Sequence, residues 1–159
     1  MQNCVTNIVI AGLGGQGVLS ASDIVADVAF AAGLDVKKSE VHGMSQRGGS
    51  VSSDVRFGSQ VNSPMVPRGE ADFLVVVSSD QVPIYDGVLA KGGVLIEESQ
   101  IDASKLATKK AINMALLGML SRHLQFSTEA WLDAIRRNFP EKLYEGNEAA
   151  FLLGRETTA

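Results

Sequence analysis

Two groups of residues in this chain have the types and spacing needed to bind a charged ligand. The first is the sequence GLGGQG, which fits the pattern G-x-G-x-x-G through Gly12, Gly14 and Gly17 and carries an extra glycine, Gly15. An apolar run precedes it and an Ala- and Val-rich segment of helical spacing follows it, which is the order of strand, glycine loop and helix. In that order the helix amides can hold a phosphate group. The alternative is a glycine turn that only lets the helix pack closely on the sheet.

The acidic residues downstream of the glycine loop fit a dinucleotide site poorly. An NAD site places a carboxylate about 20 positions further on, where it binds the ribose hydroxyls. Asp35 and Glu40 straddle that position, and Lys37 and Lys38 lie between them. Since the lysines favour a phosphorylated nucleotide, the loop predicts phosphate binding more strongly than NAD binding.

The second group lies in the sequence EVHGMSQRGGSVSSDVRFG. Its glycines, Gly43, Gly48 and Gly49, allow backbone geometries that substituted residues resist. Its polar side chains are of the kinds that recognise carboxylates, phosphates and other polar groups: His42, Ser45, Gln46 and Arg47. The alternative is a β-hairpin in which Arg47 forms a surface salt bridge and His42 a structural hydrogen bond. Composition alone leaves both interpretations open.

Hydrophobic periodicity predicts the elements that must position these residues. Strands are expected over residues 7–11, 34–41, 50–57, 73–77 and 94–97. Helices are expected over residues 18–32, ended by Gly33, and 80–91, closed by Gly92 and Gly93. From residue 107 the pattern is helical, with Ser127 as a cap, Pro140 as a stop and a last helix over 141–153 ended by Gly154. The order predicts one α/β domain over residues 1–159, a three-layer Rossmann-like domain with a mainly parallel sheet and a helical C-terminal third.

Composition excludes several classes of function. The chain is 45% hydrophobic, which suits a folded core, and its net charge of −4 argues against nucleic acid as a partner. Its one cysteine, Cys4, is expected to be buried or inert, because it and two separated histidines are too few to ligate a metal or an iron–sulfur cluster. His123, Asn113 and Asn147 are assigned structural roles. With no secretory signal or membrane-spanning run, we expect a cytoplasmic protein.

The segments IVIAGLGGQGVLSASDIVADVA, SEVHGMSQRGGSVSSDVRFG, NMALLGML and EGNEAAFLLG together resemble the gamma-type subunits of 2-oxoacid:ferredoxin oxidoreductases. The resemblance covers nearly the whole chain. Within the family, the sequence is most similar to the beta subunits of the indolepyruvate enzymes. Pyruvate-type relatives usually carry Tyr-Gly-x-Glu-x-Arg-Gly-Gly where this chain has HGMSQRGG, which favours the arylpyruvate branch. One departure is the connection over residues 97–112, which is shorter than the resemblance implies.

The resemblance implies a subunit of an enzyme that converts a 2-oxoacid, coenzyme A and oxidised ferredoxin to acyl-CoA, CO₂ and reduced ferredoxin. Thiamine diphosphate and the iron–sulfur clusters belong to a larger partner alpha subunit in that family, and such cofactors carry the chemistry. This chain is then expected to complete the active site and to help bind coenzyme A, with ferredoxin reached through the complex. No residue is predicted to be an acid, base, nucleophile or metal ligand.

The ligand-binding residues expected from the two motifs and the resemblance are Gly12, Gly14, Gly15, Gln16, Gly17, His42, Ser45, Gln46, Arg47, Gly48 and Gly49. By position, residues 14–17 would lie near phosphate groups and Gln46 and Arg47 near the mouth of the active site. Two alternatives stay open. The chain could be an autonomous NAD- or NADP-binding module, or a purely structural subunit whose glycine motifs only shape an interface.

Overall fold

The computed structural model describes residues 4–42 and 49–158. Its strands are β1 (Val5–Leu13), β2 (Asp35–His42), β3 (Ser50–Gly58), β4 (Ala71–Val76) and β5 (Leu89–Glu97). Its α-helices are α1 (Val18–Ala31), α2 (Ile112–Ser121), α3 (Thr128–Asn138) and α4 (Tyr144–Glu156). The α/β class and the helical C-terminal third are thereby confirmed. None of the helices in these two ranges is long and apolar enough to span a membrane.

The strands form one mixed sheet in the order β2-β3-β1-β4-β5. The neighbours β1, β4 and β5 are parallel, whereas β3 is antiparallel to both β1 and β2. The strands β1, β2, β4 and β5 therefore run in the same direction and only β3 is reversed, which confirms the expected Rossmann-like domain with a mainly parallel sheet. The reversal of β3 follows from the length of the chain between His42 and Ser50, which is too short for the crossover of about a dozen or more residues that parallel strands need.

The two faces of the sheet are covered differently. Alternate residues of β1 show this: Ile8 and Ile10 pack into the large core shared with all four α-helices, while Val9 belongs to a smaller cluster on the opposite face. That opposite face is covered by Val66 and by the 3₁₀ helix Ser79–Tyr85. The third layer thus consists of irregular chain and 3₁₀ structure, and the α-helices lie on one side only.

The predicted helix over residues 80–91 is wrong. A 3₁₀ helix ends at Tyr85, Gly87 turns the chain with φ +81°, and β5 already begins at Leu89, which pairs with Ala71. Pro83 lacks the amide hydrogen that a continued α-helix needs, and pairing with β4 satisfies the backbone after residue 88 instead.

The last helix departs from the expected bounds of 141–153, because a 3₁₀ helix over Glu141–Leu143 precedes α4 and α4 continues to Glu156. Ser127 caps α3 as predicted, its Oγ accepting from the Ala130 amide at 3.1 Å. Gly154, however, does not end the last helix but lies inside α4, where an added Cβ would come within 1.7 Å of the Ala115 carbonyl oxygen of α2. A glycine is needed there for the close approach of two backbones.

Candidate ligand site at the glycine loop

The glycine loop lies at the carboxyl edge of the sheet, where β1 ends and α1 begins. From β1 the chain first crosses to β2 and β3 on one side and later returns to β4 and β5 on the other. The carboxyl ends of β1, β2 and β4 consequently share one edge, with a crevice above β1. In open α/β sheets this is the place where ligands bind.

Two glycines of the loop have left-handed backbone conformations. Gly15 has φ +86° and Gly17, the N-cap of α1, has φ +76°. Among the described residues no side chain caps α1, and the amides of its first turn have no acceptor within the helix. Gly12 serves close packing instead, because an added Cβ would lie 3.0 Å from Val18 Cγ2 and 3.2 Å from Val77 Cβ. The loop therefore presents backbone N–H groups at an open helix start, which is the arrangement that binds anions.

Gln16 holds the loop in this shape. Its side-chain Oε1 accepts a hydrogen bond from the Leu13 backbone amide at 2.7 Å, and the Gln16 backbone amide donates to the Leu13 carbonyl at 3.2 Å. The side chain predicted to contact ligand thus already has a structural partner through its oxygen. Its Nε2 group is left to donate elsewhere.

We predict that Gln16→Ala lowers the free energy of unfolding by about 1 kcal/mol, because the Leu13 amide loses its acceptor. Gln16→Glu keeps an acceptor and should change the stability by less than about 0.5 kcal/mol, while the added negative charge weakens binding of a phosphate ligand. Chemical denaturation and ligand titration of both variants check this. Equal stability of the alanine variant and the native chain would contradict the structural role of the oxygen.

The two sequence motifs meet at this edge. The Gly14 amide donates to the Gly49 carbonyl at 2.8 Å, and β1 pairs with β3 so that Leu13 faces Ser50. His42 ends β2 with 58% of its side chain exposed. The remaining predicted residues of the second motif, Ser45, Gln46, Arg47 and Gly48, and also Gly43, lie outside the described residues.

Two clefts open on either side of the glycine loop. The first has a volume of about 250 Å³ and runs from Gly15 and Ser20 to His42, with Val18 and Val51 among its apolar walls. The second has a volume of about 460 Å³ and lies between the loop and the starts of α2 and α4. Gly15, Gly17 and Ser20 line both. A ligand bound at the start of α1 could therefore extend in either direction.

Sequence reasoning missed the second cleft, which places Asn113 and two lysines beside the loop. Asn113 is 6% exposed, and its Nδ2 donates to the Gly17 carbonyl at 3.1 Å. Lys110 and Lys142 line the same cleft. No local signal could have found this set, because its members are about a hundred residues from the loop and only the packing of α2 and α4 brings them near.

The acidic residues considered for a ribose contact are engaged in the fold. Asp35 accepts from the Val61 amide at 2.8 Å, and this hydrogen bond is the main reason why the pKa of its carboxyl lies below the usual value. Lys37 pairs with Asp35, and Lys38 pairs with Glu40 and with Asp23 of α1. These contacts disfavour an NAD site of the usual kind at β2.

Cys4 and the remaining histidine add no further chemistry. Of the two expected states of Cys4, buried or inert, the first does not hold, because Cys4 is a free and exposed thiol; its inertness stays a prediction. His123 is exposed and its ring lies 5.5 Å from that of Phe73. Within residues 4–42 and 49–158, no group of three or more His, Cys, Asp or Glu side chains is placed to hold a metal ion.

Comparison with known protein families and sequences identifies relatives of one kind. Residues 7–157 match the family described as pyruvate ferredoxin/flavodoxin oxidoreductase. The indolepyruvate oxidoreductase subunit IorB of Thermococcus kodakarensis is 35% identical over 93% of each chain, and that of Archaeoglobus fulgidus is 31% identical over 93% of this chain and 92% of its own. The alignment with the Thermococcus subunit has 188 positions but contains only about 148 residues of this chain, which is 93% of its 159 residues. About 40 aligned positions therefore have no counterpart in this chain.

Solved structures agree with the fold. The gamma subunit of a keto/oxoacid ferredoxin oxidoreductase from Geobacter sulfurreducens superposes with a TM-score of 0.79 at 26% identity, covering 96% of this chain and 97% of that one. The pyruvate oxidoreductase subunit PORC from Thermotoga maritima superposes with a TM-score of 0.76 at 23% identity, covering 96% of both chains. The arrangement of sheet and helices is thus that of these subunits.

Proposed function

Since this chain belongs to the pyruvate ferredoxin/flavodoxin oxidoreductase family, we propose that it is the subunit of an arylpyruvate:ferredoxin oxidoreductase that completes the active site and helps to bind coenzyme A. Its relatives are subunits of 2-oxoacid:ferredoxin oxidoreductases, with indolepyruvate, ketoisovalerate, 2-oxoglutarate and pyruvate in their names. The first four are indolepyruvate subunits, which supports the arylpyruvate assignment.

The observation that carries the proposal is the meeting of the two glycine motifs at the open start of α1. The Gly14 amide bonds to the Gly49 carbonyl at 2.8 Å, so the loop that presents free amides is tied to the strand that follows the second motif. A pyrophosphate at the α1 amides would place the rest of coenzyme A along the adjoining clefts. This chain then binds and orients coenzyme A and supplies no acid, base or nucleophile.

An iron–sulfur cluster does not fit this chain. Such clusters are held mainly by four cysteine thiolates, and the sequence contains one cysteine, Cys4. We therefore assign the clusters, together with thiamine diphosphate, to a larger partner subunit that also exchanges electrons with ferredoxin. The domain boundary of 1–159 expected from the sequence is part of the same proposal.

The proposal predicts that the chain alone oxidises no 2-oxoacid and that activity returns when a larger, thiamine-binding and cysteine-rich subunit is co-purified with it. The complex should bind coenzyme A at least about tenfold more tightly than NAD, a difference of about 1.4 kcal/mol. Calorimetric titration and a ferredoxin- or dye-reduction assay with indolepyruvate measure both. Oxidation by the isolated chain, or binding of NAD without coenzyme A, would refute it.

A further inference from the structure

The second cleft has a charge pattern that the proposed function does not yet use. We call it the lysine cleft and define it by Lys110, Asn113 and Lys142 on one side and Gly15 and Gly17 on the other. Its volume is about 460 Å³, and no carboxylate is found among the lining residues that the structure describes. An acidic chain of net charge −4 therefore carries a cleft with two cationic side chains and no acidic wall.

The two lysines are available to a ligand. Lys37 and Lys38 are held by carboxylates, but neither Lys110 nor Lys142 forms an ion pair with any residue in the described ranges. Lys110 precedes α2 and Lys142 precedes α4, so two elements bring them to one cleft from separate parts of the chain. Both are solvent-exposed, as lysines that meet a phosphate at the rim of a site must be before the ligand binds.

Asn113 adds a donor from the floor of the cleft. It is 6% exposed, its Oδ1 accepts from the Met114 amide at 2.9 Å, and one proton of its Nδ2 is used by the Gly17 carbonyl at 3.1 Å. The amide carries a second proton, for which the described residues provide no acceptor. The Nδ2 group is already paired through its bond to the Gly17 carbonyl, so its second proton can be given to a ligand without breaking a contact of the fold.

The first cleft differs in a way that gives the ligand a direction. It is smaller, at about 250 Å³, and has Leu13, Val18 and Val51 in its walls with no lysine. Coenzyme A carries its charge in the nucleotide half, in the pyrophosphate and the 3′-phosphate, whereas its pantetheine arm is uncharged and combines methylene and methyl groups with two amides. The charged end matches the lysine cleft and the arm matches the first cleft.

Resting on the proposed function, we propose that the lysine cleft binds the 3′-phosphate of coenzyme A through Lys110 and Lys142. The pyrophosphate then lies at the start of α1, and the pantetheine arm runs past Ser20 toward His42. The dianionic 3′-phosphate receives two charge-assisted contacts, and the free proton of Asn113 is directed to the same group.

Titration of the assembled complex with coenzyme A and with 3′-dephospho-coenzyme A tests this assignment. The native complex should bind coenzyme A about tenfold or more tightly than the dephospho form, because two lysine contacts are lost with the phosphate. Lys110→Gln and Lys142→Gln should each weaken coenzyme A binding roughly three- to tenfold and leave the dephospho form unchanged, while the double variant should bind both forms alike. Glutamine removes the charge and keeps a polar side chain that is only one bond shorter than that of lysine.

Lys91→Gln is the matched control, since Lys91 is an exposed lysine on β5 and lines neither cleft. It should discriminate between the two ligands as the native complex does. Equal binding of both ligands by the native complex, or equal losses for both ligands in the lysine variants, would overturn the assignment of the 3′-phosphate without refuting the proposal that the complex binds coenzyme A. If the native complex binds neither ligand, the proposed function itself fails and the assignment falls with it.

Discussion

Gly154→Ala is expected to lower the free energy of unfolding by about 3 kcal/mol, the largest single effect on stability that we predict. An added Cβ would stand 1.7 Å from the Ala115 carbonyl oxygen and 2.6 Å from its carbon, both backbone atoms of α2. Backbone cannot rotate away as a side chain can, so α2 and α4 must separate. The gain in helix propensity from alanine, about 1 kcal/mol, is too small to offset this. Chemical denaturation measures the change.

Gly146→Ala is the matched control, because Gly146 belongs to the same helix and an added Cβ would meet nothing within 4 Å. It should leave the stability unchanged or raise it by up to about 1 kcal/mol. If both variants lose the same free energy, the close contact between α2 and α4 is not what requires glycine at position 154.

Gly17→Ala is expected to weaken binding of coenzyme A at least about tenfold and to lower stability by about 2 kcal/mol. Its φ of +76° strains any L side chain by about 1–2 kcal/mol. The new Cβ would also lie 2.3 Å from Asn113 Nδ2, so Asn113 must move and its bond to the Gly17 carbonyl is disturbed. Because Gly17 lines both clefts, the change alters the place where they join. Titration and denaturation of the same preparation measure the two effects.

Gly33→Ala separates backbone strain from the site. Gly33 ends α1 with φ +86°, and an added Cβ would meet nothing within 4 Å. The variant should lose about 1 kcal/mol of stability from the strain and bind coenzyme A as the native protein does. Native-like coenzyme A binding by Gly17→Ala would show that the start of α1 does not form the phosphate site.

The local part of the site could be predicted from the sequence because it is contiguous. An apolar run, a glycine loop and a helix ended by Gly33 specify β1, the open start of α1 and the turn that follows it. These elements depend on hydrophobic periodicity and on positive φ angles, and both are largely determined by residues that are neighbours in the sequence. The resemblance drawn from the two motifs identified the family for the same reason.

Other features had no such local signature. The segment after residue 80 has a helical pattern, yet Leu89 pairs with Ala71 and continues the sheet, because strand pairing satisfies more backbone than an isolated turn interrupted by Pro83. Gly154 has the appearance of a helix stop, but its role depends on the distance to Ala115.

The lysine cleft is also formed by residues that are distant in the sequence. Residues 12–17 alone imply a phosphate at a helix start, and neither their spacing nor that of the second motif says which way a ligand extends. That direction depends on Lys110, Asn113 and Lys142, which stand beside Gly17 only because α2 and α4 pack together through backbone contacts at Gly118 and Gly154. Glycine loops are encoded by the conformations of consecutive residues, whereas a cleft is encoded by the packing of distant ones, and only the folded chain brings the two together.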